Sequence, residues 1–273
     1  MSRFGIAWLA APATLVCLGL FAVPLGLLLV ESFHGAQGWS LAGYRDFLGS
    51  AYAWGVVART LRLAALTTAI CLVIGYPAAF ALAWTRGWVQ SVLVACVLLP
   101  LSLSVIVKAF GWTVLLRANG AVNLALMGLG ITSAPLRLLF TEAGLLIGIV
   151  NIFLPFMVLP IFASVRQLDP RLPEAAATLG GGPLYCFLRV VLPLTLPGVI
   201  AGGTLVFSLA IAAYVIPTLL MGDAYQTLPV MIATSFLYLQ DPMRGSVAGV
   251  VLLALSILVV VASTWLGRKG EAA

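Results

Sequence analysis

The residues whose types and spacing carry chemical meaning lie mostly in one stretch, 165–197, VRQLDPRLPEAAATLGGGPLYCFLRVVLPLTLP. Its chemistry is that of a contact surface. Asp169 can cap a helix whose first residue is Pro170, where a missing backbone N–H costs nothing. Pro173 still falls in the first turn, and Glu174 through Leu179 continues as a short helix. Gly180, Gly181 and Gly182 stop it, because glycine accepts the left-handed backbone of a helix C-cap. Pro183 opens a second short helix carrying Tyr185, Phe187 and Arg189, and Leu192-Pro193 leads into the next apolar segment. Two short helices joined by a glycine turn form a knob. Ala175, Ala176 and Ala177 keep its waist narrow enough to enter a groove. Leu179, Leu184 and Tyr185 offer apolar anchors, and Glu174 offers a charge for a basic partner.

Bond-making chemistry has no comparable support. One histidine, His34, excludes a histidine metal cluster, and there is no HExxH, no convergent acid pair and no GxxxxGK[ST] phosphate loop. Cys17, Cys71 and Cys96 lie inside apolar runs, no CxxC occurs, and the four cysteines including Cys186 read as small hydrophobes. The chain is therefore expected not to be an enzyme and to hold no metal or cofactor. A few polar groups inside apolar segments are candidates for a solute path. Lys108 either lines that path or its gate, or else snorkels to a nearby span end or makes a structural pair. Asn151 and Asn123 either face it or bond between helices. Tyr214 either lines it or packs as an ordinary aromatic.

The elements that must hold these groups are set by composition. The chain is 63% hydrophobic and 8% charged. A soluble domain is about one-quarter charged, so lipid is the solvent this surface suits. The net charge of +6 comes from dispersed basic residues without aromatic interleaving, which argues for loops and against nucleic acid. About 20 apolar residues make a spanning helix, and six stretches qualify, at about 8–30, 60–84, 89–112, 142–164, 196–220 and 247–267. The loop 165–195 lies between the fourth and fifth. Residues 121–131 and 136–140 are too short to span and read as surface or re-entrant helices.

With the N-terminus inside, Arg3, Arg86, Arg166, Arg171, Arg189, Arg268 and Lys269 are cytoplasmic, and both termini are too. Arg59 and Arg62 then fall outside, Arg62 at a span end from which it can snorkel. Pro24, Pro77, Pro100, Pro155, Pro160 and Pro217 can each kink a span. The small residues Gly198, Ala201, Gly202, Gly203, Ala210, Ala212 and Ala213 permit close helix contact, within the subunit or with a partner. Trp84, Trp88, Trp112 and Trp265 sit near span ends as interface anchors.

Against this background a family resemblance becomes specific. Permeases of ABC importers share Glu-Ala-Ala, three residues, Gly, nine residues, Ile, one residue and Leu-Pro in a cytoplasmic loop. Glu174, Ala175, Ala176, Gly180, Val190, Leu192 and Pro193 reproduce that spacing, with Val for Ile as the one departure. LAGYRDFL (41–48), LTTAICLVIGYPAAFALAWTR (66–86), FLPFMVLPIFASVRQLDP (153–170) and LPLTLPGVIAGGTLVFSLAIAAYVIPTLLMG (192–222) resemble the spermidine/putrescine-type permeases.

The resemblance implies an all-α inner-membrane protein of the type I importer fold, one permease domain over residues 1–273. Its coupling helix would engage two ATPase subunits, which bind ATP and Mg. It also implies a second permease subunit, expected to be paralogous, and a periplasmic solute-binding protein. The solute would be polyamine-like or another small organic molecule. One departure bears on that solute: where several polyamine permeases carry an acid near YVIP, this chain has Ala212 and Ala213 before Tyr214, and no acid lies mid-span. A stand-alone secondary transporter is the alternative; the proline breaks fit it, but absent mid-membrane acids and the cytoplasmic knob do not.

Overall fold

Hydrocarbon offers no partner to a backbone N–H or C=O, so a chain this apolar must satisfy them within its own segments. The structure, a computed structural model, accordingly is helical through most of its length. It describes residues 3–35, 38–169, 171–178, 180–222 and 225–271. Helix α1 (Arg3–Ser32) leads into strands β1 (His34–Gly35) and β2 (Gly38–Trp39), which pair antiparallel with His34 opposite Trp39. There follow α2 (Ala42–Gly49), α3 (Ala51–Trp84), α4 (Trp88–Ser102), α5 (Val105–Leu115), α6 (Ala121–Gly128) and α7 (Glu142–Arg166). After α8 (Arg171–Thr178), the short α9 (Pro183–Cys186) runs through a π-helical turn, Phe187–Val191, into α10 (Leu192–Ile211). The chain ends with α11 (Val215–Met221), α12 (Leu228–Leu237) and α13 (Pro242–Glu271).

The core is the mutual packing of α3, α7 and α10, with α13 against α10 and α1 against α13. Leu63, Cys71, Leu145, Ile149, Met157, Ile161, Val206 and Ile211 are buried there. Small residues set the approach. A Cβ on Gly198 would strike the Pro160 carbonyl at 2.6 Å, and one on Gly202 would lie 3.0 Å from the Met157 carbonyl. Gly198 and Gly202 of the fifth predicted span thus serve contact within the subunit, against α7. A second cluster joins α2, the start of α3, α12 and α13 through Phe47, Val56, Leu228, Met231 and Val247. Large apolar side chains such as Phe21, Val73, Leu99, Leu205 and Val261 face outward, the surface lipid or another membrane subunit requires.

Within the described residues, four helical stretches are long and apolar enough to cross a membrane: Ala51–Trp84, Glu142–Arg166, Pro183–Ile211 and Pro242–Trp265. Helices α4 and α5 make a fifth if taken as one span, but they meet at 103°. The third span expected over 89–112 is thus sharply bent near Pro100, one of the prolines able to kink a span. Pro100 sits in the last turn of α4, Leu103 after it is extended, Ser104 precedes α5, and the chain turns there. The fifth span is likewise broken, at Ala212–Tyr214, before α11. Pro217 in the first turn of α11 has no N–H to carry the helix across from Ala213.

Residues 121–128 form the expected short helix, but 136–140 do not. That segment is extended because the buried Asn123 amide takes both polar groups of Leu136. It accepts the Leu136 N–H and donates to the Leu136 carbonyl, each at 2.9 Å. Phe140, at φ +62°, then donates its N–H to the Leu220 carbonyl of α11 at 3.0 Å. Helix α12 was not anticipated; its first N–H, from Leu228, is accepted at 2.9 Å by the buried Thr60 hydroxyl of α3.

Gly198→Val is expected to destabilise the α7–α10 contact by roughly 1–3 kcal/mol, because the carbonyl it meets is backbone and cannot rotate away. A lowered thermal midpoint of the detergent-solubilised protein, relative to Gly203→Val, checks this; Gly203 has only the Thr68 methyl nearby, at 3.9 Å.

Candidate functional site

The 165–193 connection folds as a helical hairpin. Asp169 caps α8 as its sequence suggests: Oδ1 accepts the Arg171 N–H at 2.9 Å. Pro170 and Leu179 lie outside the described residues, as does the side chain of Glu174, whose backbone belongs to α8. The end of α8 is a Schellman closure. Gly180 stands at φ +85°, and the Gly181 N–H donates to the Ala176 carbonyl at 3.0 Å. Gly181 is needed for space instead of conformation: a Cβ there would meet that same carbonyl at 2.7 Å and the Tyr185 ring at 3.1 Å. Cys186, which the sequence offers only as a small hydrophobe, is buried and donates its thiol to the Gly181 carbonyl at 3.4 Å. It ties the second helix to the turn.

The hairpin presents apolar groups outward. Leu184 and Tyr185 are 69% and 59% exposed, and Leu172 and Leu188 are exposed beside them. Ala175 is exposed and Ala176 half-buried, and the side chain of Ala177 lies outside the described residues. The second helix is not a separate short element. It continues from Pro183 to Ile211 as one 29-residue run. Pro193 lacks the N–H that would bond the Arg189 carbonyl, and its ring crowds that group, so the backbone widens into the π turn. There the Leu192 N–H reaches back to the Phe187 carbonyl. Leu192 and Pro193 thus stand inside a helix, half-buried and exposed respectively.

The path candidates stand on α5, α6, α7 and the α10–α11 break. Lys108 on α5 donates its ammonium to the Pro100 carbonyl at 2.9 Å, across the bend that splits the third span. It satisfies a helix C-terminus, where a cation is favoured. Asn151 of α7 accepts the Trp112 indole N–H at 3.2 Å, an interhelical bond to α5. Trp112 is therefore engaged with α7, whereas Trp84 and Trp88 are exposed at the α3–α4 turn. Asn123 joins a loop to α6, not two helices. Tyr214 is exposed at the break between α10 and α11.

Sequence reasoning missed a polar cluster that the fold assembles from three elements. Arg62 of α3 pairs with Glu142, the first residue of α7, at 2.8 Å. Arg59 lies over the Tyr225 ring, 5.8 Å from its centre. Tyr225, in the loop before α12, faces Glu142. Burial first, and then the Glu142 carboxylate, push its phenol above the usual range; Arg62 and Arg59 oppose them. The available signal was that Arg62 and Glu142, opposite in charge, are both placed at outer span ends by the loop count. Snorkelling is replaced by pairing.

This architecture and motif have known counterparts. The family described as binding-protein-dependent transport system inner membrane component matches residues 72–269. The chain belongs to that family.

The spermidine/putrescine transport system permease protein PotB of Haemophilus influenzae is 37% identical over 260 residues, 91% of each chain. PotB of Escherichia coli K12 is 33% identical over 237 residues, 85% of this chain and 86% of that one. A chain in the crystal structure of a bacterial alginate ABC transporter, in complex with an alginate pentasaccharide-bound periplasmic protein, superposes with a TM-score of 0.81. That match covers 98% of this chain and 95% of the other at 15% identity, and it carries the fold alone. The permease is thus a membrane-embedded subunit of the ABC importer class with the type I fold. The stand-alone secondary transporter reading has no support among these relatives.

Two outcomes are expected. Gly180→Val forces a β-branched residue into the left-handed region and should cost about 1–2 kcal/mol locally. Faster amide exchange over 171–182, with unchanged membrane insertion, checks it. Glu142→Gln removes the charge that disfavours the phenolate, so Tyr225 should ionise at lower pH. Ultraviolet difference titration against the matching Tyr225→Phe background reads that shift.

Proposed function

We propose that the permease supplies part of the translocation pathway for a small amine-bearing organic solute, and that residues 169–193 are its contact with separate ATPase subunits. The observation that carries the second half is the hairpin. It combines a rigid Schellman turn with outward Leu172, Leu184, Tyr185 and Leu188, at the Glu-Ala-Ala spacing. An exposed apolar cluster of this kind in a polar loop is a docking surface. In this reading Glu174, Ala175, Ala176, Leu179 and Gly180 make up the docking segment, and Leu184 and Tyr185 are its anchors. Leu192 and Pro193 join it to the fifth span.

The topology of this reading has six spans, α1 and the α4–α5 pair included, with both termini cytoplasmic. Arg86 in the short α3–α4 turn and the Arg166–Arg189 segment then share the inner face, as loop charge favours. Each ATPase of a pair binds ATP and Mg, a paralogous permease completes the pathway, and a periplasmic binding protein delivers solute. ATP closure shifts the population between outward and inward access through the hairpin.

The amine-bearing solute rests on the names of the relatives. The permease itself offers no acid mid-span; Glu142 heads α7 and is already paired with Arg62. Selection of the ammonium groups therefore falls to the binding protein or the partner permease. Lys108, Asn151 and Tyr214 are retained as path residues only where the two helix breaks face the pathway.

Affinity purification of the tagged chain in mild detergent is expected to recover an ATPase and a second permease. Glu174→Ala and Leu184→Asp should each lower ATPase recovery several-fold without reducing the amount of chain in the membrane. Full recovery with both variants overturns the docking assignment. A lone chain that moves radiolabelled putrescine into liposomes without ATP overturns the importer partners.

A further inference from the structure

Two weakened backbones face each other beside the hairpin. In α3, Pro77 has no N–H for the Val73 carbonyl, so the helix loses a rung at that point. In the α9–α10 run, the π turn Phe187–Val191 loosens the ladder just beyond the hairpin. One side chain bridges them. Tyr76, the residue before Pro77, places its hydroxyl 2.8 Å from the Thr195 Oγ1 of α10. Thr195 is fully buried and already donates its hydroxyl hydrogen to the Val191 carbonyl at 2.9 Å, so Tyr76 is the donor. The Phe187 ring, inside the π turn, meets the Tyr76 ring edge-on with centroids 5.7 Å apart. Phe80 stacks on Tyr76 at 5.1 Å and carries the contact towards Trp84, at the end of α3.

We propose that Tyr76 is the positioning residue that straps the docking hairpin to α3, so that movement of the hairpin bends α3 at Pro77. The inference rests on the proposed coupling role of residues 169–193. A hydrogen bond and an edge-on ring hold the π turn from one side, while the Schellman turn and the Cys186 thiol hold the hairpin rigid at the other. Displacement of α9 is then passed to Tyr76 instead of being absorbed in the loop. Because Pro77 removes the rung to the Val73 carbonyl, α3 bends most easily there, and a bend would carry with it the packing of the buried Ala79 and Leu82 beyond it. Breaking the bond would leave the buried Thr195 oxygen without the donor that Tyr76 supplies, while its own bond to the Val191 carbonyl persists.

The test uses the whole assembly, the permease with its co-purified ATPase and second permease in lipid nanodiscs. Amide exchange of α3 residues 78–84 is measured with and without ATP plus vanadate. In the unmodified complex, nucleotide is expected to change exchange in that segment. Tyr76→Phe and Thr195→Val should each abolish the nucleotide dependence while ATPase still co-purifies, and the double variant should add nothing to either. Thr195→Ser, which keeps the hydroxyl, should restore it. A nucleotide-dependent change that persists in both single variants, or that is absent from the unmodified complex, overturns the strap. Failure of any ATPase to co-purify with the unmodified permease instead overturns the docking assignment on which it rests, so the two failures are told apart.

Discussion

Every backbone polar group within the spans has to find its partner without water, and much of the structure follows from where that requirement is met locally and where it is not. Along α3, α7 and α10 the helical ladder meets it, and glycines at the crossings let the ladders approach to backbone contact. Where proline or a bend interrupts the ladder, a side chain from elsewhere in the sequence takes over. Lys108 covers the Pro100 carbonyl at the bend of the third span, Asn123 serves both groups of Leu136, and Thr60 receives the Leu228 N–H. The scattered polar residues of the apolar segments are, in these cases, repairs to the backbone.

That observation reorders the view of intramembrane polarity. An ionisable group inside a span is by default a functional hypothesis, and Lys108 invites it. Its hydrogen bond among the described residues is to a helix terminus, where a cation is favoured. The Arg62–Glu142 pair is similar in effect but weaker in energy. Its side chains are 65% and 32% exposed, and such pairs contribute about 0–1 kcal/mol. Its value lies in linking α3, α7 and, through Tyr225, the loop before α12.

The docking hairpin obeys the opposite rule. It is short, contains a residue at φ +85°, and exposes leucines and a tyrosine that a free-standing loop would bury. A turn fixed by a Schellman bond with no room for a side chain at Gly181 is rigid by construction. Rigidity there is what a lever requires, and the apolar exposure is what a partner requires. The π turn beyond it joins this lever to the fifth span, with Tyr76 held against it by the Phe187 ring.

The sequence by itself determined the solvent, the class and the hairpin. Composition dictated lipid, the Glu-Ala-Ala to Leu-Pro spacing pointed to the family, and Asp169, Gly180 and Pro183 marked the boundaries of the two helices, because caps and glycine turns are local physics. It also located most of α1, α3, α7 and α13, since a run of apolar residues has only one solution in hydrocarbon. It did not show that the third and fifth spans are broken, because a proline in a span is compatible with a kink or with a straight helix until a neighbour supplies or withholds a partner. It did not distinguish glycines used against α7 from glycines offered to another subunit. Nor did it bring Tyr76 to Thr195, or Arg62 to Glu142, across separations of 119 and 80 residues. Those contacts depend on how three helices cross, and crossing geometry is set by the packing of side chains that lie far apart in the chain.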